Sequence, residues 1–186
     1  MLDHEKRGYV LSTFPKSRLL GFSLIELLIG IVILAILMGL AVPSFQTWLQ
    51  NAQIRNAAES IQNGLQRARA EAVGRNTNVE FVLGAGSSWV VRLAGGANIE
   101  SRSSSEGSKN ATVAVTPAGT TTVTFNNFGS VVQPTNADGS APFTQVDLGS
   151  SVLSPADSQN LRVTVGLGGN VRMCDPNAPV SSPRAC

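Results

Sequence analysis

Histidine and tyrosine are almost missing from this chain: there is one of each in 186 residues, His4 and Tyr9, both within the first 21 positions. Beyond residue 21 the commonest general base is gone, and with it any Ser-His-Asp or Cys-His arrangement and any two-histidine zinc site. Cysteine is nearly as scarce. Cys174 and Cys186 are the only two, with eleven residues between them and without a C-x-x-C spacing, which gives no support to a redox centre or a metal cluster. No Walker or dinucleotide glycine motif occurs, and no closely spaced Asp/Glu pair stands out. The chain is therefore not expected to be an enzyme, and no cofactor or metal is expected.

Charge of either sign is sparse as well. Of fourteen Lys and Arg residues, Lys6, Arg7, Lys16 and Arg18 fall in the first 21 positions, and of twelve Asp and Glu residues, Asp3 and Glu5 do, which leaves ten of each sign beyond. That balance argues against a broad electrostatic interaction with nucleic acid or anionic lipid, although local clusters could still act.

What the chain does have is one long apolar run. From Leu24 to Val42 it is broken only by Glu26 and reaches the length of a membrane-spanning helix. A carboxylate at membrane depth costs about 2.5–3.5 kcal/mol on insertion scales, so Glu26 needs a partner or a task. Lys16 and Arg18 precede the run and no basic residue follows it until Arg55, which predicts a cytoplasmic N-terminus with the remainder outside. Two other readings compete. An ordinary secretory signal cleaved after Gly39-Leu40-Ala41 would have an apolar region of 7–15 residues, shorter than this one. A plain anchor for a periplasmic domain of other function leaves Glu26 without a role.

The segment Gly21-Phe22-Ser23-Leu24-Ile25-Glu26 followed by that run resembles the signal of type IV pilins and type II secretion pseudopilins. The resemblance implies that prepilin peptidase cuts between Gly21 and Phe22 and methylates the new amino group of Phe22. Glu26 becomes the fifth residue of the processed chain, where the family keeps a glutamate that acts in assembly, and Pro43 stands where its N-terminal helix commonly carries a proline. A leader of 21 residues is long for this group, so a start codon downstream of Met1 is an open alternative.

After Pro43, Ile54, Ala58, Ile61, Leu65, Ala68 and Ala72 recur at steps of four and three, predicting an amphipathic continuation of the helix that needs a cover on one face. Arg55 with Glu59, Arg67 with Glu71 and Glu71 with Arg75 are spaced to pair across one turn. Pro43 removes a backbone donor and is a candidate kink, and Gly74 with Asn76-Thr77-Asn78 marks the helix end. Short β-rich runs follow: Val79 to Leu83, Trp89 to Leu93, Thr112 to Thr116, Thr121 to Phe125, Phe143 to Leu148, Leu161 to Val165 and Val171 to Cys174. In Thr121-Thr122-Val123-Thr124-Phe125 the alternation places Val123 and Phe125 inward and the threonines outward. Gly95 to Asn110 and Pro134 to Pro142 read as mobile surface loops. A helix followed by strands argues α+β, with a long N-terminal helix packed on antiparallel sheet as in pilins. The expected organisation is a cytoplasmic leader over 1–21, a transmembrane or filament-core helix over 22–43, an amphipathic helix over 44–76 and a β-rich part over 77–186.

With that part outside the inner membrane, Cys174 and Cys186 are expected to form a disulfide that fixes a tail containing Pro176, Pro179 and Pro183. Within the superfamily the chain is most similar to the GspH, FimT and FimU group of minor pilins. The supporting segments are Gln62 to Arg75, Thr124-Phe125-Asn126-Asn127-Phe128-Gly129, and Gly169-Asn170-Val171-Arg172-Met173-Cys174-Asp175-Pro176. That resemblance implies a low-abundance subunit that helps to initiate or cap a type IV pilus or a type II secretion pseudopilus, with prepilin peptidase, other pilins and the inner membrane as partners. Some members of the FimT group bind DNA during natural transformation through a Gly-Arg-x-Arg motif. Here Asn170 replaces the first arginine, leaving Arg172, with Arg162 and Arg184 as further cations and Asp175 nearby. Two or three cations on a neutral domain imply weak, salt-sensitive phosphate binding.

Overall fold

Leucine and isoleucine make up eleven of the nineteen residues 24–42; leucine loses little rotamer freedom in a helix and β-branched isoleucine only somewhat more. In the computed structural model, which describes residues 21–186, a helix α1 runs over Leu24–Arg75 and passes through Pro43 without a break in its helical assignment. Two compact units divide between Ala41 and Val42. In the first, every large apolar side chain from Leu24 to Leu40 is exposed, and α1 is long and apolar enough to cross a membrane.

In the second unit the predicted stripe is fully used. Ile54, Ala58, Ile61, Leu65, Ala68 and Ala72 are all buried, joined by Ala57, Ser60 and Gly64. Small residues dominate because the sheet comes close. A Cβ built on Gly64 would lie 2.6 Å from the Phe81 ring and 2.9 Å from the Trp89 ring, so any side chain there would force both aromatics to move. Burying the Trp89 indole buries its N–H, which donates to Ser60 Oγ at 2.8 Å. Leaving that donor unpaired would cost about 1–3 kcal/mol.

Two four-stranded antiparallel sheets cover the helix. The first has order β3-β2-β1-β5, from β1 Val79–Leu83, β2 Trp89–Leu93, β3 Asn98–Arg102 and β5 Thr122–Phe125. The second has order β4-β6-β7-β8, from β4 Ala111–Thr116, β6 Gln145–Ser150, β7 Leu161–Val165 and β8 Val171–Cys174. Phe143 and Thr144 join them: Phe143 N–H donates to Thr122 O at 3.3 Å and Thr144 N–H to Thr116 O at 2.8 Å. Phe81, Val91, Val123 and Phe125 from one sheet and Val146, Leu148, Val163 and Val165 from the other belong to one core with the α1 stripe. Phe143 packs edge-on against Phe81 with ring centroids 6.1 Å apart.

Three local expectations change and one is filled in. Asn98–Arg102, read as loop, is a strand; Asn-Ile-Glu-Ser-Arg lies at a sheet edge, largely exposed, and a register shift between Val91 and Arg92 lets it pair without an apolar pattern to announce it. Thr122 and Thr124 are buried rather than outward, because buried Asn136 lies over them, accepting from Thr124 N–H at 2.9 Å and donating to Thr122 O at 3.1 Å. The segment Pro134 to Pro142 is thereby pinned by its own asparagine. The helix ends where Gly74 and Asn76-Thr77-Asn78 mark it, and Asn76 makes the cap: it has φ 51°, and Thr77 N–H reaches Ala72 O while Asn76 N–H reaches Val73 O, a Schellman arrangement with asparagine in the left-handed position. Finally, Glu71 pairs with both Arg67 and Arg75, whereas Arg55 makes no ion pair with Glu59. The Arg75 hydrogen bond, helped by the charges of Arg67 and Arg75, holds the Glu71 carboxyl below its ordinary value.

Candidate functional site

The N-terminal site is built from six residues. Gly21, Phe22 and Ser23 are non-helical and exposed, with Phe22 85% accessible, so the Gly21–Phe22 bond stands clear of the helix. Ser23 starts the helix. Its Oγ accepts from Glu26 N–H at 3.2 Å and its carbonyl accepts from Leu27 N–H at 3.1 Å, which makes it the N-cap and puts Glu26 at the third helical position. A glutamate there belongs to the Ser-x-x-Glu capping pattern, a local role the sequence reading passed over. The carboxylate nevertheless makes no hydrogen bond or ion pair among the described residues, and it stands on a helix turn whose neighbours Leu24, Ile25, Leu27 and Leu28 are all exposed. The leader residues before Gly21 lie outside the described residues.

At the other end of the chain Cys174 and Cys186 are bonded, with Cα atoms 5.0 Å apart. The loop they close is further tied by Asp175 N–H to Arg184 O at 2.7 Å and by a parallel bridge between Asp175 and Ala185. The three arginines singled out from sequence have different fates. Arg162 on β7 faces Asp147 across the strand pair and binds it through two contacts, at 2.6 and 3.3 Å. Arg172 on β8 donates to Ala185 O at 3.2 Å and so helps to hold the closed loop. Arg184 lies in that loop, and its guanidinium has no partner among the described residues. One of the three charges is thus neutralised by a carboxylate, and the residues Gly169-Asn170-Val171-Arg172 form a turn and the start of an edge strand.

Sequence reasoning missed where Arg55 goes. Released from Glu59, it lines a depression with Arg184, on a wall fixed by Asn51, whose side chain donates to Asp157 O at 3.0 Å and accepts from Gln159 N–H at 2.9 Å. No spacing rule could have found it, since Arg55 and Arg184 lie at opposite ends of the domain sequence.

Comparison with known proteins accords with this architecture. The family model described as Type II transport protein GspH matches residues 57–177, and the one described as prokaryotic N-terminal methylation motif matches residues 17–42. Two crystal forms of the Pseudomonas aeruginosa (strain PAO1) type IV minor pilin FimU are similar in structure. The form in space group P21 has a TM-score of 0.51 at 20% identity, covering 75% of this chain and 98% of that one. The form in P65 has a TM-score of 0.48 at 21% identity, covering 71% and 98%. No curated protein sequence matches. At such identity the P21 likeness concerns the fold alone, and it is the fold expected: one long N-terminal helix packed on antiparallel sheets. With well over half of the chain matched by the GspH model and the methylation motif lying across the start of α1, the chain belongs to the GspH family, a pilin-type protein with an apolar N-terminal helix for membrane anchorage.

Proposed function

We propose that this protein is a minor pilin or pseudopilin that helps to initiate or cap a type IV pilus or type II secretion pseudopilus. In this reading residues 1–21 are a cytoplasmic leader that prepilin peptidase removes between Gly21 and Phe22, and Phe22 is then N-methylated. Residues 22–43 hold the chain in the inner membrane before assembly and enter the filament core afterwards. Residues 44–76 and 77–186 form the outward-facing domain.

One observation carries the reading: Glu26 is a lone carboxylate without a partner among the described residues, on a helix whose apolar side chains are uncovered all round. Lipid can cover those side chains, but lipid offers nothing to a carboxylate. A neighbouring subunit processed at the same site offers the cationic amine of its own Phe22. In a poor dielectric that pair has to be complete, because an unmatched charge is costly. Glu26→Ala is therefore expected to be processed and to reach the membrane normally, yet to drop at least about tenfold in purified filaments, a loss that corresponds to roughly 1.4 kcal/mol or more of incorporation free energy. Recovery of that variant at the parent level would refute the assembly role. The DNA-binding alternative is less well supported, since Arg162 is spent on Asp147 and Arg172 on Ala185.

A further inference from the structure

The described residues contain nine arginines, and seven of their guanidinium groups are engaged: Arg67, Arg75, Arg92, Arg102 and Arg162 with carboxylates, and Arg69 and Arg172 with backbone carbonyls. The two that have no partner, Arg55 and Arg184, line the same depression, about 390 Å³ in volume. The fold thus brings a helix residue and a tail residue 129 positions apart into one groove.

The groove is built rather than incidental. Arg55 stands on α1, and the facing segment is tied to that helix by the two Asn51 hydrogen bonds. Arg184 is carried by the loop that the Cys174–Cys186 bond and the Asp175–Arg184 backbone bond hold in place. The backbone that carries each arginine is therefore held in place, which lowers part of the ordering cost of binding. Leu161 and Met173 add apolar lining, and the Asp175 carboxylate, also in the lining, already accepts from Asn177 N–H at 2.9 Å. Past Arg55 the depression continues into a second one, lined by Trp48, which is exposed.

We infer that this groove receives an acidic segment of a neighbouring pilin-type subunit, two carboxylates meeting Arg55 and Arg184 while an apolar side chain lies on Leu161 and Met173. A peptide fits better than a polyanion. Two cations beside one carboxylate, on a domain with balanced charge, provide local pairing without the extended positive field that a phosphate backbone needs. The assignment of the partner rests on the filament-subunit reading; the chemistry of the groove does not.

Full-length protein in detergent micelles, titrated at low salt with fluorescein-labelled hexaglutamate and separately with a labelled short DNA duplex, tests the chemistry. Hexaglutamate is expected to bind, with Kd raised about tenfold by Arg55→Gln/Arg184→Gln and within about twofold of the parent for Arg102→Gln on β3. No binding by the parent, or equal binding by the double variant, overturns the inference. So does tighter binding of the duplex that is lost in the same variant, which would give the groove to polyanions. In cells, Arg55→Glu/Arg184→Glu is expected to lower recovery in purified filaments by about tenfold, and charge-reversed acidic residues on the neighbour are expected to restore it. Normal recovery of the reversed variant overturns the inference alone, whereas absence of the parent chain from filaments overturns the filament-subunit reading alone.

Discussion

The two halves of α1 are made of similar material and treated oppositely. Between Leu24 and Leu40 all large apolar side chains are exposed; between Ile54 and Ala72 the apolar residues of one face are wholly buried under two sheets. The difference lies in patterning. The first half is apolar all round, so no single sheet could cover it, while the second confines its apolar residues to one stripe and sets arginine and glutamate opposite. A surface left uncovered in the subunit but too apolar for water is suited to an apolar environment such as a membrane. In the packed half, in contrast, the buried Ser60 hydroxyl and Trp89 N–H satisfy each other.

The sharpest break of this comparison pairs one substitution from each half's surroundings. Phe81→Ala removes a fully buried ring that touches the Gly64 position, Trp89 and Phe143, and is expected to destabilise the domain by about 3–5 kcal/mol in chemical denaturation. Leu28→Ala, on the uncovered half, is expected to change the same measurement by less than about 0.5 kcal/mol. Equal effects would mean that the uncovered half is part of the folding unit after all.

Next in size is the C-terminal staple. Replacing Cys174 and Cys186 with serine opens a loop of sequence separation 12 and is expected to cost about 3 kcal/mol, read as a lower midpoint of thermal unfolding. Because Arg184 rides on that loop, the double serine variant should also lose the hexaglutamate binding ascribed to the groove.

Ser60→Ala is smaller, about 1–3 kcal/mol, since it strands the Trp89 N–H beneath the helix. Ser60→Thr, which keeps the hydroxyl, should recover part of that loss by the same denaturation measurement.

The smallest effect concerns the outer face. The Glu71 carboxyl is held below its ordinary value of 4.5 by Arg75 and Arg67, and Asp138 below 3.8 by the Ser140 hydroxyl and N–H. A lowered folded-state value means that these groups favour the folded form above their ordinary range and lose that contribution as pH falls through it. Domain stability is therefore expected to decline below about pH 4.5. Glu71→Gln should flatten that decline by a few tenths of a kcal/mol, the usual size of exposed pairs one turn apart. An unchanged acid limb in the variant would show that these pairs contribute nothing.

Much of this was legible because the informative residues act locally. The stripe from Ile54 to Ala72 has the period of a helix, and Val123 and Phe125 have the alternation of a strand, so their buried faces could be named without knowing what covers them. The strand Asn98–Arg102 was not legible, because at a sheet edge its backbone pairs with β2 while its side chains stay largely in water. Thr122 and Thr124 misled for the opposite reason: a polar residue normally marks an exposed face, and only the distant Asn136 reverses that.

By itself the sequence determined that this chain has a membrane-length helix with a lone acid beside a Gly-Phe junction, an amphipathic continuation, a set of antiparallel strands and two late cysteines. Each of these follows from composition, period or adjacency. Tertiary structure alone decided which charges are spent and which are left over. Arg162 meets Asp147 only because β6 and β7 pair in one register, and Arg55 and Arg184 line one depression only because the stapled tail lies beside α1. Charge interactions weaken with distance in space, and chain position carries little information about that distance for residues 129 positions apart.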